Sequence, residues 1–157
     1  MTLPLYPIES VVPQRPPMIL IDEIVAREAG RIVVVVTIRP AGLFFQPGRG
    51  MPSHVALEWM AQSCAAFAGC EAIDDGGAVR VGFLLGTRDF WATRAWFAEG
   101  ERLYIQALLE YRDDELANFA CTVTGSLEGP PLARASLNVY QPHDASALIG
   151  GQAAPRS

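Results

Sequence analysis

Three polar residues interrupt an otherwise apolar stretch: His54, Glu58 and Gln62. Their spacing is i, i+4, i+8. With about 3.6 residues per helical turn, each step drifts only about 40°, so on a helix the three form one stripe. Glu58 is the only acidic residue between Gly42 and Gly69. A carboxylate among apolar neighbours is costly unless paired or neutralised, and burial favours its protonated form. A neutral carboxylic acid is what protonation of a leaving hydroxyl requires. His54, one turn earlier, carries the side chain most often used as a base near neutral pH. A helix start also leaves backbone N–H groups unbonded. Those at Ser53 to Val55 are placed to hold a carbonyl oxygen as it becomes negative. An acid, a base and an oxyanion donor then lie within two turns. The plain alternative is a Glu that bonds the backbone or lines a subunit interface, beside a His that caps a helix end or faces water. Spacing alone does not choose between them.

Composition removes whole classes of chemistry. All 12 basic residues are arginine, so a Walker-type phosphate loop, a Schiff base and a lysine nucleophile are excluded. Two histidines, His54 and His143, and three cysteines, Cys64, Cys70 and Cys121, form no metal-ligand spacing, and no metal site is expected. No GxGxxG follows a strand-like run. A net charge of −5 argues against nucleic acid as a partner. No apolar run approaches the roughly 18 residues of a membrane span, and no signal-like segment opens the chain. With an odd cysteine count this predicts a cytoplasmic setting without a disulfide framework. Cys64 and Cys70 read as core, and Trp59, Trp91 and Trp96 as core or interface aromatics.

The elements that must position the stripe follow from periodicity. Half of the 157 residues are hydrophobic and 18% are charged, which suits one domain over 1–142. The Ala-, Gly- and Pro-rich stretch 143–157 reads as a tail. Leu3–Pro17 holds five prolines and reads as an extended wrapping segment. Met18–Val25 and Arg31–Arg39 (RIVVVVTIR) read as strands, the second continuously β-branched and so covered on both faces. Ala41–Gly50 is a loop. Ser53–Ile73 reads as one long helix with Ser53 as N-cap, ended by Asp74-Asp75-Gly76-Gly77. It is apolar nearly all round, so a sheet should wrap it. Val79–Trp91, Arg102–Tyr111, Leu116–Gly125 and Leu132–Gln141 complete the strands. The fold class is α+β: an antiparallel sheet curled around one long buried helix.

Met51–Gln62 (MPSHVALEWMAQ) resembles the central-helix signature of the hot-dog-fold 3-hydroxyacyl-[acyl-carrier-protein] dehydratases, roughly MPG, four residues, then E-x-M-A-Q. Gln14–Asp22 (QRPPMILID) resembles that family's HRYPFLLVD segment, and Gly82–Arg88 and Ala135–Tyr140 fit strands after the helix. The likeness spans about residues 12 to 142 and is greatest to the divergent dehydratases of aryl-polyene-type clusters. It implies a hot-dog fold, two protomers sharing one continuous sheet, and acyl tunnels at their interface. The family's catalytic Glu matches Glu58. Its catalytic His, fourteen positions earlier in GHFP, meets Phe44 without a gap and falls near Gln46 with a two-residue deletion. The glycine whose N–H is an oxyanion donor is replaced by Ser53.

The resemblance implies dehydration of 3-hydroxyacyl thioesters to trans-2-enoyl thioesters. Glu58 is the expected acid and His54 the expected base, unless a partner supplies the missing His. Ser53, Val55, Gln62, Gln46 and Phe44 are the expected substrate contacts. No cofactor is expected, since 4′-phosphopantetheine belongs to the substrate's carrier. The expected partners are acyl carrier protein and a second copy or a related hot-dog subunit. Arg49, Arg88 and Arg94 are candidate contacts for an acidic carrier, because Arg pairs bidentately with carboxylate and phosphate. Two rivals remain: a hot-dog acyl thioesterase, and a weakly or non-catalytic acyl-binding subunit.

Overall fold

The computed structural model describes residues 3–41, 43–79 and 82–142. The stretch 143–157, with His143, lies outside them. The expected α+β arrangement is observed. Strands β1 (Glu23–Glu28), β2 (Arg31–Thr37), β4 (Phe83–Ala92), β6 (Arg102–Asp113), β7 (Leu116–Thr124) and β8 (Pro131–Tyr140) form one antiparallel sheet in the order β1-β2-β6-β7-β8-β4. The sheet packs on one helix, α1 (Ala56–Asp74). Two short strands, β3 (Met51–Pro52) and β5 (Trp96–Phe97), pair separately and pin the chain just before the helix.

The β-branched run behaves as its composition demands. β2 lies between β1 and β6, and Ile32 to Val36 are all buried. The edges of the sheet are β1 and β4; on β4, bonded only to β8, Leu84 and Leu85 are exposed. Met18–Ile21, expected as strand, has no ladder partner, and regular pairing starts at Glu23.

The helix starts differently from the expectation. Ser53–Val55 form a 3₁₀ turn and α1 begins at Ala56, with no side-chain cap at either start. Ser53 is not an N-cap because it lies inside the 3₁₀ turn, with Pro52 and Val55 in the two cap positions; its own N–H donates to Ala95 C=O at 2.8 Å. Trp59 packs on Phe97 below, ring centroids 5.5 Å apart. At the other end Gly76, at φ +76°, turns the chain while its N–H and that of Gly77 bond Ile73 and Ala72 carbonyls. The amino-terminal segment crosses the helix as a strap, with Ile8, Val11 and Val12 buried. Gly69 is required there: a Cβ would sit 1.9 Å from Val11 O.

Candidate active site

A groove of about 790 Å³ runs along α1. Glu58, Ala61, Ala65 and Ala68 form one wall, and Leu84, Phe119 and Val139 from the sheet form the other. Gln14 of the strap closes one side. The small alanine side chains make the room. They recur on one helical face because their spacing follows the turn. Glu58 is half-buried at one end of this groove, whose other end is lined by the charged Glu71, Asp75, Arg112, Asp114 and Glu115. At the far end Arg112 donates to Glu71 at 2.8 Å. The stretch between Glu58 and Glu71, walled by alanines, Leu84, Phe119 and Val139, has the room and the apolar surface for a short extended chain beside a proton-transfer group.

The Glu58 carboxyl is held from behind. Gln62 Nε2 donates to Glu58 Oε1 at 3.1 Å and to Met18 O at 2.7 Å, while Gln62 Oε1 accepts from Leu20 N–H at 2.8 Å. Gln62 is fully buried. It was expected to touch substrate, but its amide is committed to the protein and supports Glu58 instead.

The other expected site residues are placed as follows. His54 sits in the 3₁₀ turn one turn before Glu58, exposed, and does not line the groove. Val55 is buried in the core. The Ser53 N–H, expected as an oxyanion donor, is taken by Ala95 O. Phe44 is exposed at φ +69°, and Gln46 closes a tight turn with Gly50 through paired backbone bonds of 2.8 and 2.9 Å. Neither lines the groove. The Arg49 guanidinium lies 5.5 Å from the Trp96 ring centroid. Arg94 is gripped bidentately by Glu101, at 3.0 and 2.7 Å, and Arg88 is exposed on β4.

Sequence spacing did not single out Gln14. Its Oε1 is buried and without a hydrogen-bond partner, and the residue lines the same groove as Glu58. The strap's path decides this, and a proline-rich segment gives no periodic signal of where it will lie. Cys64 also lines the groove, its Sγ 3.8 Å from that of Cys121. Burial, then the Cys121 contact, push its thiol well above the usual range, so it is a poor nucleophile. All three cysteines are free. Among the described residues no three His, Cys, Asp or Glu side chains come together to hold a metal, and no helix is long and apolar enough to cross a membrane.

Comparison with known proteins decides the family. The model of the ApeP-like family, described as ApeP dehydratase, matches residues 6–150. The chain belongs to the ApeP-like dehydratase family. Its fold matches the dehydratase heterocomplex ApeI:P from Xenorhabdus doucetiae with a TM-score of 0.83 and 26% identity, over 96% of this chain and 99% of that one. More distant likenesses show the hot-dog fold alone. One is a hypothetical thioesterase with coenzyme A from Streptococcus pneumoniae, at TM-score 0.60 and 12% identity over 76% and 84% of the two chains. Another is the PaaI protein of E. coli, at 0.59 and 11% over 76% and 78%. No curated protein matches the sequence.

Proposed function

We propose that this dehydratase-family chain removes water from 3-hydroxyacyl thioesters carried by acyl carrier protein, giving trans-2-enoyl thioesters. The observation that carries this reading is that Glu58, in the family's acid position, lines a groove with an alanine, leucine, phenylalanine and valine wall. The thioester carbonyl acidifies the α-carbon. A base takes the α-proton, the enolate oxygen is steadied by the remaining amides of the turn at His54 and Val55, and Glu58 protonates the departing 3-hydroxyl. The pantetheine arm comes with the substrate; Gln14 is a position for a contact inside the groove, and Phe44 and Gln46 only for contacts with the part of the arm outside it.

A second subunit completes this site. His54 is exposed, and a base in open water is a weak partner for an acid at a groove mouth. Covering that face excludes water and strengthens every charge interaction beneath it. The β4 edge, with Leu84 and Leu85 exposed, is the natural seam, since an unpaired apolar strand is otherwise a liability. The heteromeric make-up of the ApeI:P dehydratase favours a related hot-dog subunit over a second copy. His54 is the proposed base, and a histidine of the partner subunit is its rival.

Turnover tests the proposal. The chain alone and the chain co-purified with its hot-dog partner are assayed for enoyl-thioester formation from a 3-hydroxyacyl carrier. The expectation is activity in the complex, with His54→Ala lowering kcat by about 10²–10⁴-fold, the usual range for general acid–base work. Full activity of His54→Ala in the complex assigns the base to the partner subunit. No enoyl product from any assembly overturns the dehydratase reading.

A further inference from the structure

Gln62 is bound on every side by groups whose hydrogen-bonding roles are fixed. Leu20 N–H can only donate, and it meets Gln62 Oε1 at 2.8 Å. Met18 C=O can only accept, and it meets Gln62 Nε2 at 2.7 Å. These two backbone groups settle which end of the amide is oxygen, so the usual flip ambiguity does not arise here. One hydrogen of Nε2 goes to Met18. The other points at Glu58 Oε1, 3.1 Å away. Glu58 Oε1 therefore faces a donor whatever the state of the carboxyl. A proton on that oxygen would collide with the amide hydrogen.

From this geometry we infer that Gln62 is a positioning residue that reserves Glu58 Oε1 as an acceptor and confines the transferable proton to Oε2. The inference rests on the general-acid role of Glu58. When the acid acts, the Oε2–H bond breaks and its proton goes to the 3-hydroxyl oxygen. The C3–O bond breaks and water leaves. The α-carbon's C–H electron pair becomes the new double bond, with that proton on the base. The remaining carboxylate keeps its Oε1 bond to Gln62, so it does not rotate between turnovers. The anchor for all this is the irregular segment Met18–Leu20 rather than the helix. Within this stretch, which joins no ladder, the Leu20 N–H and the Met18 C=O are both used on Gln62.

Two measurements on the full chain test the inference. The first is NMR of the Gln62 side-chain amide. Glu58→Ala should move one of its two hydrogens and leave the other, bonded to Met18, in place. Equal movement of both, or of neither, overturns the inference. The second is kinetic, in the assembled enzyme. Gln62→Glu preserves shape and the acceptor for Leu20 N–H but loses both donated bonds, to Met18 O and to Glu58 Oε1. Gln62→Met loses the whole amide and serves if the charged variant fails to fold. Either should lower kcat about ten- to hundredfold, the worth of a hydrogen bond to a charged group, with KM unchanged. In a Glu58→Gln background the same change should not lower the residual rate further. Equal losses in both backgrounds indicate a merely structural role and overturn the inference. If Glu58→Gln by itself leaves turnover intact, the general-acid reading fails and the kinetic claim with it. The amide NMR still reports separately whether Gln62 grips Oε1.

Discussion

The two ends of α1 are built on opposite plans. At the carboxyl end the chain closes on itself. The buried Arg27 guanidinium bonds Asp74 Oδ2 at 2.8 Å and Pro4 O at 2.7 Å, and the Tyr6 hydroxyl donates to the same Asp74 carboxylate. Val11 crosses Gly69 at backbone contact distance. Arg27, Asp74 and Glu71 there each have a charged partner within the chain. At the amino end the backbone is just as firmly held, by β3 on β5 and Ser53 on Ala95. Its chemical groups are left open: Glu58 is half-buried at a groove mouth and His54 is exposed. The same helix thus carries a closed structural clasp and an unfinished reactive end. Substitutions at one end should change folding and spare chemistry, and those at the other should do the reverse.

The largest effect is expected at the open end. Glu58→Gln keeps shape and a partner for Gln62, so thermal unfolding should be unchanged while kcat falls about 10²–10⁴-fold. A large loss of folded protein with turnover retained per molecule would break the contrast and make Glu58 a structural residue.

Next comes the clasp. Gly69→Ala puts a methyl into the Val11 backbone, 1.9 Å from its oxygen, where no flexible side chain can yield. Chemical denaturation should show a loss of about 3 kcal/mol, the upper part of the range for overpacking. Turnover of the molecules still folded should be near that of the parent.

Asp74 sharpens the comparison through pH. The hydrogen bond from Arg27, then that from Tyr6, holds its carboxyl below the usual carboxylate range. The folded state therefore binds this proton more weakly than the unfolded chain does. The resulting stability is complete above the ordinary carboxylate pKa and is lost as pH falls through the depressed folded value. Asp74→Asn should lower stability at neutral pH by about 2 kcal/mol, the worth of a hydrogen bond to a charged group. It should also flatten the acid limb of a Tm-against-pH curve. An unchanged acid limb would show that the clasp is not held by this charge.

The smallest effect is expected at the surface arginines. Arg49→Ala and Arg88→Ala should raise KM for a carrier-bound substrate a few-fold and leave a short free thioester unaffected, since single exposed charges contribute about 0.2–1 kcal/mol. Arg94→Ala should do less, because Glu101 already holds that guanidinium in a bidentate pair. Added salt should erase the difference. Equal KM changes for carrier and free thioester would remove these arginines from docking.

The contrast also explains what was legible in the sequence. The helix and the sheet were, because α1 lacks a polar face and β2 is continuously β-branched. Glu58 was, as a lone acid in that helix. The role of Gln62 was not: its partners Met18 and Leu20 lie 44 and 42 positions away and act through backbone atoms, which carry no residue signature. Met18–Ile21 looked like strand for a related reason, since composition reports burial and not which ladder a backbone joins. Ser53 looked like a cap because its type favours one, yet the 3₁₀ turn takes it in and leaves Pro52 and Val55 in the cap positions. The strap and its Gln14 depend on the close approach at Gly69, a tertiary fact. The base stays open from sequence because Phe44 and Gln46 stand where the family's His is expected.

The central claim is that the open end of α1 does dehydration chemistry. The most direct test is one reaction with two readouts. The chain with the proposed hot-dog partner subunit is given a 3-hydroxyacyl carrier thioester, and enoyl absorbance and free thiol are followed together. The account predicts enoyl thioester accumulating with no thiol released. Thiol release without enoyl product would make the protein a thioesterase, and tight binding with neither product would make it an acyl-binding subunit; either contradicts the account.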